Sequence, residues 1–187
     1  SWNAPTRMLV SRSRYEEAVE TAKAVAEMIQ PDYAEKSGRH IGPVVSDVQY
    51  DKIQALIAKG IEEGAELVAG GLGKPEGLED GYFVKPTVFA GVNNDMTIAR
   101  EEIFGPVLSI LPFDTEEEAI EIANDTIYGL TNYIQSQDAE TCKRVAKNLR
   151  SGMVEINGKG RARMSPFGGM KASGNGREGG VWGIIDF

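Results

Sequence analysis

Apolar residues recur at helical spacing in four stretches of the chain. Tyr15, Ala18, Val19, Ala22, Val25, Ala26 and Ile29 fall three and four apart, as on one face of a helix, and Pro31 closes the pattern. Ser13-x-x-Glu16 ahead of it reads as a capping box, in which a hydroxyl and a carboxylate each satisfy a free N–H. Ser46-x-x-Gln49 opens a second helix with Ile53, Leu56, Ile57 and Ile61 on one face and Gly64 at its stop. Thr115-x-x-Glu118 starts a third, running to about Asn124. Asp138 caps a fourth, with Cys142, Val145, Ala146 and Leu149 as its stripe. Between the helices, 66–69, 82–84 and 87–89 read as short extended segments, the last two separated by Pro86. Residues 107–111 are apolar but for Ser109, as in a strand buried on both faces, and strands follow at 130–135 and 152–157. Strand–helix–strand–helix–strand with short connections predicts two consecutive βαβ units, hence an α/β domain on a parallel sheet. Ligands in such sheets sit at the carboxyl ends of the strands.

Composition narrows the partners. With 187 residues, one domain covering 1–187 is expected. Asp and Glu outnumber Lys and Arg by 28 to 20, a net charge of −8, which disfavours nucleic acid because phosphates need a basic face. No apolar run is long enough for a membrane span, and with no charged-then-apolar pattern in the first residues no signal peptide is expected. One cysteine and one histidine can make neither an internal disulfide nor a zinc site, so no metal is expected and a reducing, cytoplasmic setting is the default.

Two segments are candidates for chemistry. In Glu101-Glu102-Ile103-Phe104-Gly105-Pro106-Val107, Phe104 either anchors the core, or the loop offers a carboxylate beside an aromatic, able to grip a diol and stack on a flat ring. Residues 166–180 hold the densest glycine cluster. Gly174-Asn175-Gly176-Arg177-Glu178-Gly179 spells the dinucleotide fingerprint, but no strand precedes it, so a loop packed closely against a site is the better reading. His40, in a polar stretch, reads as a solvated loop residue, and Cys142 as a buried, inert thiol. Lys159, Arg161 and Arg163 form a basic cluster, either a solvated face or a hold for an anionic substrate.

Together these motifs resemble the C-terminal catalytic domain of the NAD(P)-dependent aldehyde dehydrogenase superfamily over nearly the whole chain. The resemblance rests on Asn3-Ala4-Pro5-Thr6-Arg7, Gly42-Pro43, Gly70-Gly71, Pro86-Thr87-Val88, Glu101 to Val107, Asn124-Asp125-Thr126 with Tyr128-Gly129-Leu130, and Pro166 to Glu178. It implies a parallel-sheet catalytic domain with helices on both faces. It also implies oxidation of a small aldehyde to an acid with NAD or NADP, through thiolate attack, hydride transfer and thioester hydrolysis. By the same resemblance Glu102 grips the nicotinamide-side ribose, Phe104 is the aromatic beside it, Gln49 and Lys52 lie on the helix that touches the cofactor, and Phe167 lines the substrate tunnel. The departures are as informative. The nucleophilic cysteine of the family directly precedes Asn-Ala-Pro-Thr-Arg, and here Trp2 stands there. The family's cofactor domain, general base and C-terminal oligomerisation strand have no counterpart within the 187 residues. Ile127, Gln135 and Met170 replace a usual proline, aromatic and tyrosine.

The expectation is therefore a portion of an aldehyde dehydrogenase, inactive alone and binding cofactor weakly or not at all, that associates with itself or with a cofactor domain. The alternative is a non-catalytic aldehyde-dehydrogenase-like binding or assembly module. A small hydrolase or transferase lacks support, since no nucleophile elbow, phosphate loop or paired-acid motif occurs.

Overall fold

A computed structural model describes residues 3–162 and 164–185, arranged as two compact units, one of residues 6–114 and one of 1–5 with 115–187. In the first, the elements run β1 (Arg7–Ser11), α1 (Tyr15–Met28), β2 (Gln30–Pro31), β3 (His40–Ile41), α2 (Asp47–Glu62), β4 (Glu66–Ala69), β5 (Thr87–Ala90), α3 (Thr97–Arg100) and β6 (Val107–Phe113). Four strands form one sheet in the order β1-β6-β5-β4. β6 pairs in parallel with β1 (Arg7 opposite Ser109) and with β5 (Thr87 opposite Val107), while β4 runs antiparallel to β5.

Alternation along β5 explains how both faces are covered. Val88 and Ala90 join Ile110 and the α1 residues Val19 and Ala26 in one apolar cluster. Phe89, pointing the other way, meets α2 and α3 where Gly60 lies: a Cβ there would stand 3.0 Å from Ile98 and 3.2 Å from Phe89. Helices thus lie on both faces of a mainly parallel sheet, as the α/β reading requires.

Local signals succeeded where a cap stands alone. Ser46 Oγ accepts from the Gln49 N–H at 3.2 Å, and Ile53 and Ile57 are fully buried. Ser13 does not cap α1. A 3₁₀ turn over Arg12–Arg14 moves the helix start to Tyr15, the Ser13 hydroxyl meets that of Ser11, and Arg14 grips Glu17 at 2.6 Å. Val25 and Ile61, expected on buried stripes, are 49% and 42% exposed. Residues 82–84 form no strand, although Phe83 and Val84 are buried; Phe83 packs edge-on against Tyr33 instead. His40 lies in the short β2–β3 parallel pair rather than a loop.

The second unit holds α4 (Glu116–Asn124), β7 (Thr131–Ile134), α5 (Ala139–Asn148), β8 (Met153–Ile156) and α6 (Gly180–Ile185). Thr115 and Asp138 cap α4 and α5 as expected. β7 and β8 pair with each other in parallel, so β7–α5–β8 is a true βαβ unit. The segment from β6 through α4 to β7 is not one. Both hydrogen-bonding edges of β6 are already occupied by β1 and β5, leaving none for β7. Arg144 bridges α5 to α4 with a bidentate contact to Glu116 at 2.6 and 2.7 Å. Cys142 is buried, its thiol 3.6 Å from the Ser136 carbonyl. Among the described residues no helix is long and apolar enough to cross a membrane.

Candidate functional site

The loop between α3 and β6 is built from below. Ile103 is buried at 2%, and Gly105 sits over Ile53 of α2, where a Cβ would come within 2.6 Å of Ile53 Cδ1. Glycine is needed there because the loop lies directly on the helix. Between them Phe104 adopts φ +57°, a left-handed conformation that costs a non-glycine residue about 1–2 kcal/mol. Two α2 side chains hold the loop in it. Gln49 Nε2 donates to the carbonyls of Ile103 (3.0 Å) and Phe104 (3.1 Å), and Lys52 Nζ donates to that of Glu102 (2.7 Å). These residues are one helical turn apart on one face of α2, which the Ser46 cap fixes in register.

This bracing turns the side chains outward. Phe104 is 47% exposed and therefore no core anchor; Ile103 takes that role. Glu102 is exposed and its carboxylate accepts from no described residue, so both oxygens remain available to hydroxyl donors. A free carboxylate next to an exposed ring fits a ribose diol joined to a flat heterocycle. Gln49 and Lys52 spend their donors on the loop main chain.

In the second unit, the glycine segment 166–180 is held by close backbone approach. A Cβ at Gly152 would stand 1.8 Å from Gly168 O, and one at Gly168 would stand 2.2 Å from Gly176 O. Arg177 Nη1 donates to the carbonyls of Gly169 (2.8 Å), Asn175 and Gly176 (both 3.0 Å), a brace that sequence reasoning did not single out. Phe167 exchanges two backbone hydrogen bonds of 2.7 Å with Glu178 and is half-buried, with the Arg161 guanidinium 5.7 Å from its ring centre. The Gly174–Gly179 segment follows a 3₁₀ turn at Lys171–Ser173, not a strand, so it is no dinucleotide fingerprint. The Tyr133 hydroxyl donates to the Asn3 carbonyl, tying the chain start to β7; burial, then the charge of Glu155, pushes this phenol above its usual 10.0. Trp2 and Arg163 lie outside the described residues. No group of three His, Cys, Asp or Glu able to hold a metal occurs among the described residues.

Residues 3–187 match the aldehyde dehydrogenase family, and the chain belongs to that family. It is 50% identical to 3-succinoylsemialdehyde-pyridine dehydrogenase of a Pseudomonas species over all of this chain and 39% of that protein. Among solved structures it superposes on aldehyde dehydrogenase from Bartonella henselae with a TM-score of 0.98 and 61% identity, over 100% of this chain and 39% of that one. A mutant aldehyde dehydrogenase C from Pseudomonas syringae, in complex with NAD+ and octanal, aligns with a TM-score of 0.95 and 46% identity over 98% of this chain and 38% of that one. The chain thus spans about two-fifths of the length of these relatives, 39% of the first two.

Proposed function

We propose that the chain is the C-terminal catalytic-domain portion of an NAD(P)-dependent aldehyde dehydrogenase, and that the 187-residue polypeptide is inactive by itself. The loop at 101–107 carries the reading. Its backbone is braced by α2 while Glu102 and Phe104 are left outward and unpaired. The cofactor, when bound, accepts a hydride. This chain's part is to position it: Glu102 accepts hydrogen bonds from the nicotinamide-side ribose, Phe104 stacks beside it, and Gln49 and Lys52 keep the loop in place. Phe167 lines the aldehyde side. NAD+ and octanal in the Pseudomonas syringae relative support the cofactor and the substrate class. A lone buried thiol suits the reducing cytoplasm.

Inactivity follows from chemistry at Trp2, since an indole carbon cannot supply the thiolate of the covalent step. Cofactor affinity should be weak as well. Hydrogen bonds to a charged group contribute about 1.5–3 kcal/mol each, against an association cost of about 4–15 kcal/mol. NAD is therefore expected to bind this chain no tighter than about millimolar.

The test is a chimera in which residues 1–187 replace the matching segment of the Bartonella henselae enzyme. With Trp2→Cys it should produce NADH from at least one of octanal and succinate semialdehyde; with Trp2 retained it should produce NADH from neither. A folded Trp2→Cys chimera that binds NAD yet makes no NADH would contradict the proposal and favour the assembly module.

A further inference from the structure

The turn after β8 carries cations that the site described above does not use. Asn157 (φ +52°) and Gly158 (φ +69°) form a left-handed turn that folds Lys159 back to pair with Ile156. Asn157 fixes this turn through its side chain: Oδ1 accepts from the Ser136 N–H at 3.0 Å and Nδ2 donates to the Ser136 carbonyl at 2.8 Å. Lys159 is therefore set at the carboxyl ends of the parallel pair β7–β8, the end at which such sheets receive ligands. Two residues on, Arg161 lies over the ring of Phe167, itself pinned by its backbone exchange with Glu178. Neither Lys159 nor Arg161 makes an ion pair with a described residue, although the chain carries 28 acidic residues. Most other described arginines are spent on carboxylates, amides or carbonyls.

We propose that Arg161, set over the ring of Phe167, together with Lys159 two residues before it, forms a subsite for a carboxylate, so that the substrate is an acid-bearing aldehyde, a semialdehyde, rather than a plain alkyl aldehyde. The proposal rests on the aldehyde dehydrogenase reading, which puts Phe167 on the aldehyde side. The edge of the ring takes the carbon chain, the Arg161 guanidinium over it takes the acid, and Lys159 adds a second positive charge. A guanidinium stacked on an aromatic keeps its edge donors free for a carboxylate.

The test is an NMR titration of the isotope-labelled 187-residue chain with succinate semialdehyde, butanal and succinate, following the amides of 158–162. Succinate semialdehyde and succinate should shift these signals, and butanal should bind about fivefold or more weakly, the scale of one exposed charge pair. Arg161→Gln should reduce semialdehyde binding to the butanal level, and Lys159→Gln should lower it partway. Raising salt should weaken the two anions and leave butanal unchanged. Equal binding of butanal and semialdehyde, or a preference that survives both substitutions, overturns the subsite while leaving the chimera result intact. Succinate binding through Arg161 beside an inactive Trp2→Cys chimera overturns the substrate assignment, because an anion site would then stand without an aldehyde reaction.

Discussion

The loop at 101–107 and the glycine segment at 166–180 solve one problem in opposite ways. Each must hold irregular backbone in a fixed shape. The first does so with side chains from a regular helix: Gln49 and Lys52 reach up to three carbonyls, and Ile53 supports Gly105 from beneath. The second does so largely by removing side chains, so that backbone packs on backbone at Gly152, Gly168 and Gly176, with Arg177, Lys171 and Ser173 adding cross-braces to carbonyls and an N–H. A helix-braced loop can turn Glu102 and Phe104 outward. A backbone-packed loop presents few side chains of its own, and Phe167 stands at its edge.

The largest effect is expected at Ile53. It is fully buried beneath Gly105, and Ile53→Ala should cost about 2–5 kcal/mol in chemical denaturation. A loss below 1 kcal/mol would show that the first loop does not depend on its helix. Gly152→Ala comes next, at about 1–3 kcal/mol or more, because the added carbon meets a carbonyl oxygen that cannot rotate away. If Gly152→Ala is neutral, the second loop is not held by close approach, and the contrast between the two regions fails.

Gln49→Ala separates bracing from folding. It removes two hydrogen bonds at a partly exposed site and should cost only about 1 kcal/mol. Amide exchange at 102–105 should nevertheless rise while α2 stays protected. Exchange that rises equally across α2 would mean that Gln49 supports the helix rather than the loop.

Which parts were legible in the sequence follows from how local the cause is. Ser46, Thr115 and Asp138 cap helices with their own side chains, so short motifs reveal them. The four-residue α3, which leads into the first loop, has no such cap. The Glu63 carboxylate, from just past the end of α2, accepts from the Thr97 N–H and hydroxyl, both at 2.6 Å, an arrangement between partners 34 positions apart with no local signal. The pairing of β6 with β1 and β5 was likewise hidden, because an apolar run does not say which strands flank it. Glu102 and Phe104 were readable as site candidates from motif resemblance. The outward turn of Phe104 depends on Gln49, 55 positions away, and was not.

Glu63 also gives the smallest and most specific effect. Hydrogen bonds from the Thr97 hydroxyl and then its N–H hold this carboxyl below its ordinary value of 4.5. A lowered folded-state pKa stabilises above the unfolded value and loses that contribution as pH falls through the folded one. The melting-temperature gap between the native chain and Glu63→Gln should be open at pH 7 and close below pH 4.5. A gap independent of pH would remove the ionised cap.

The central claim is that the helix-braced loop offers Glu102 to the nicotinamide-side ribose. The most direct measurement is KM for NAD in the active Trp2→Cys chimera, with and without Glu102→Gln, read beside Gln49→Ala. Glu102→Gln should raise KM for NAD about tenfold or more, the loss of a hydrogen bond to a charged acceptor, with melting temperature unchanged. Gln49→Ala should raise it less. An unchanged KM for NAD in Glu102→Gln would contradict the account.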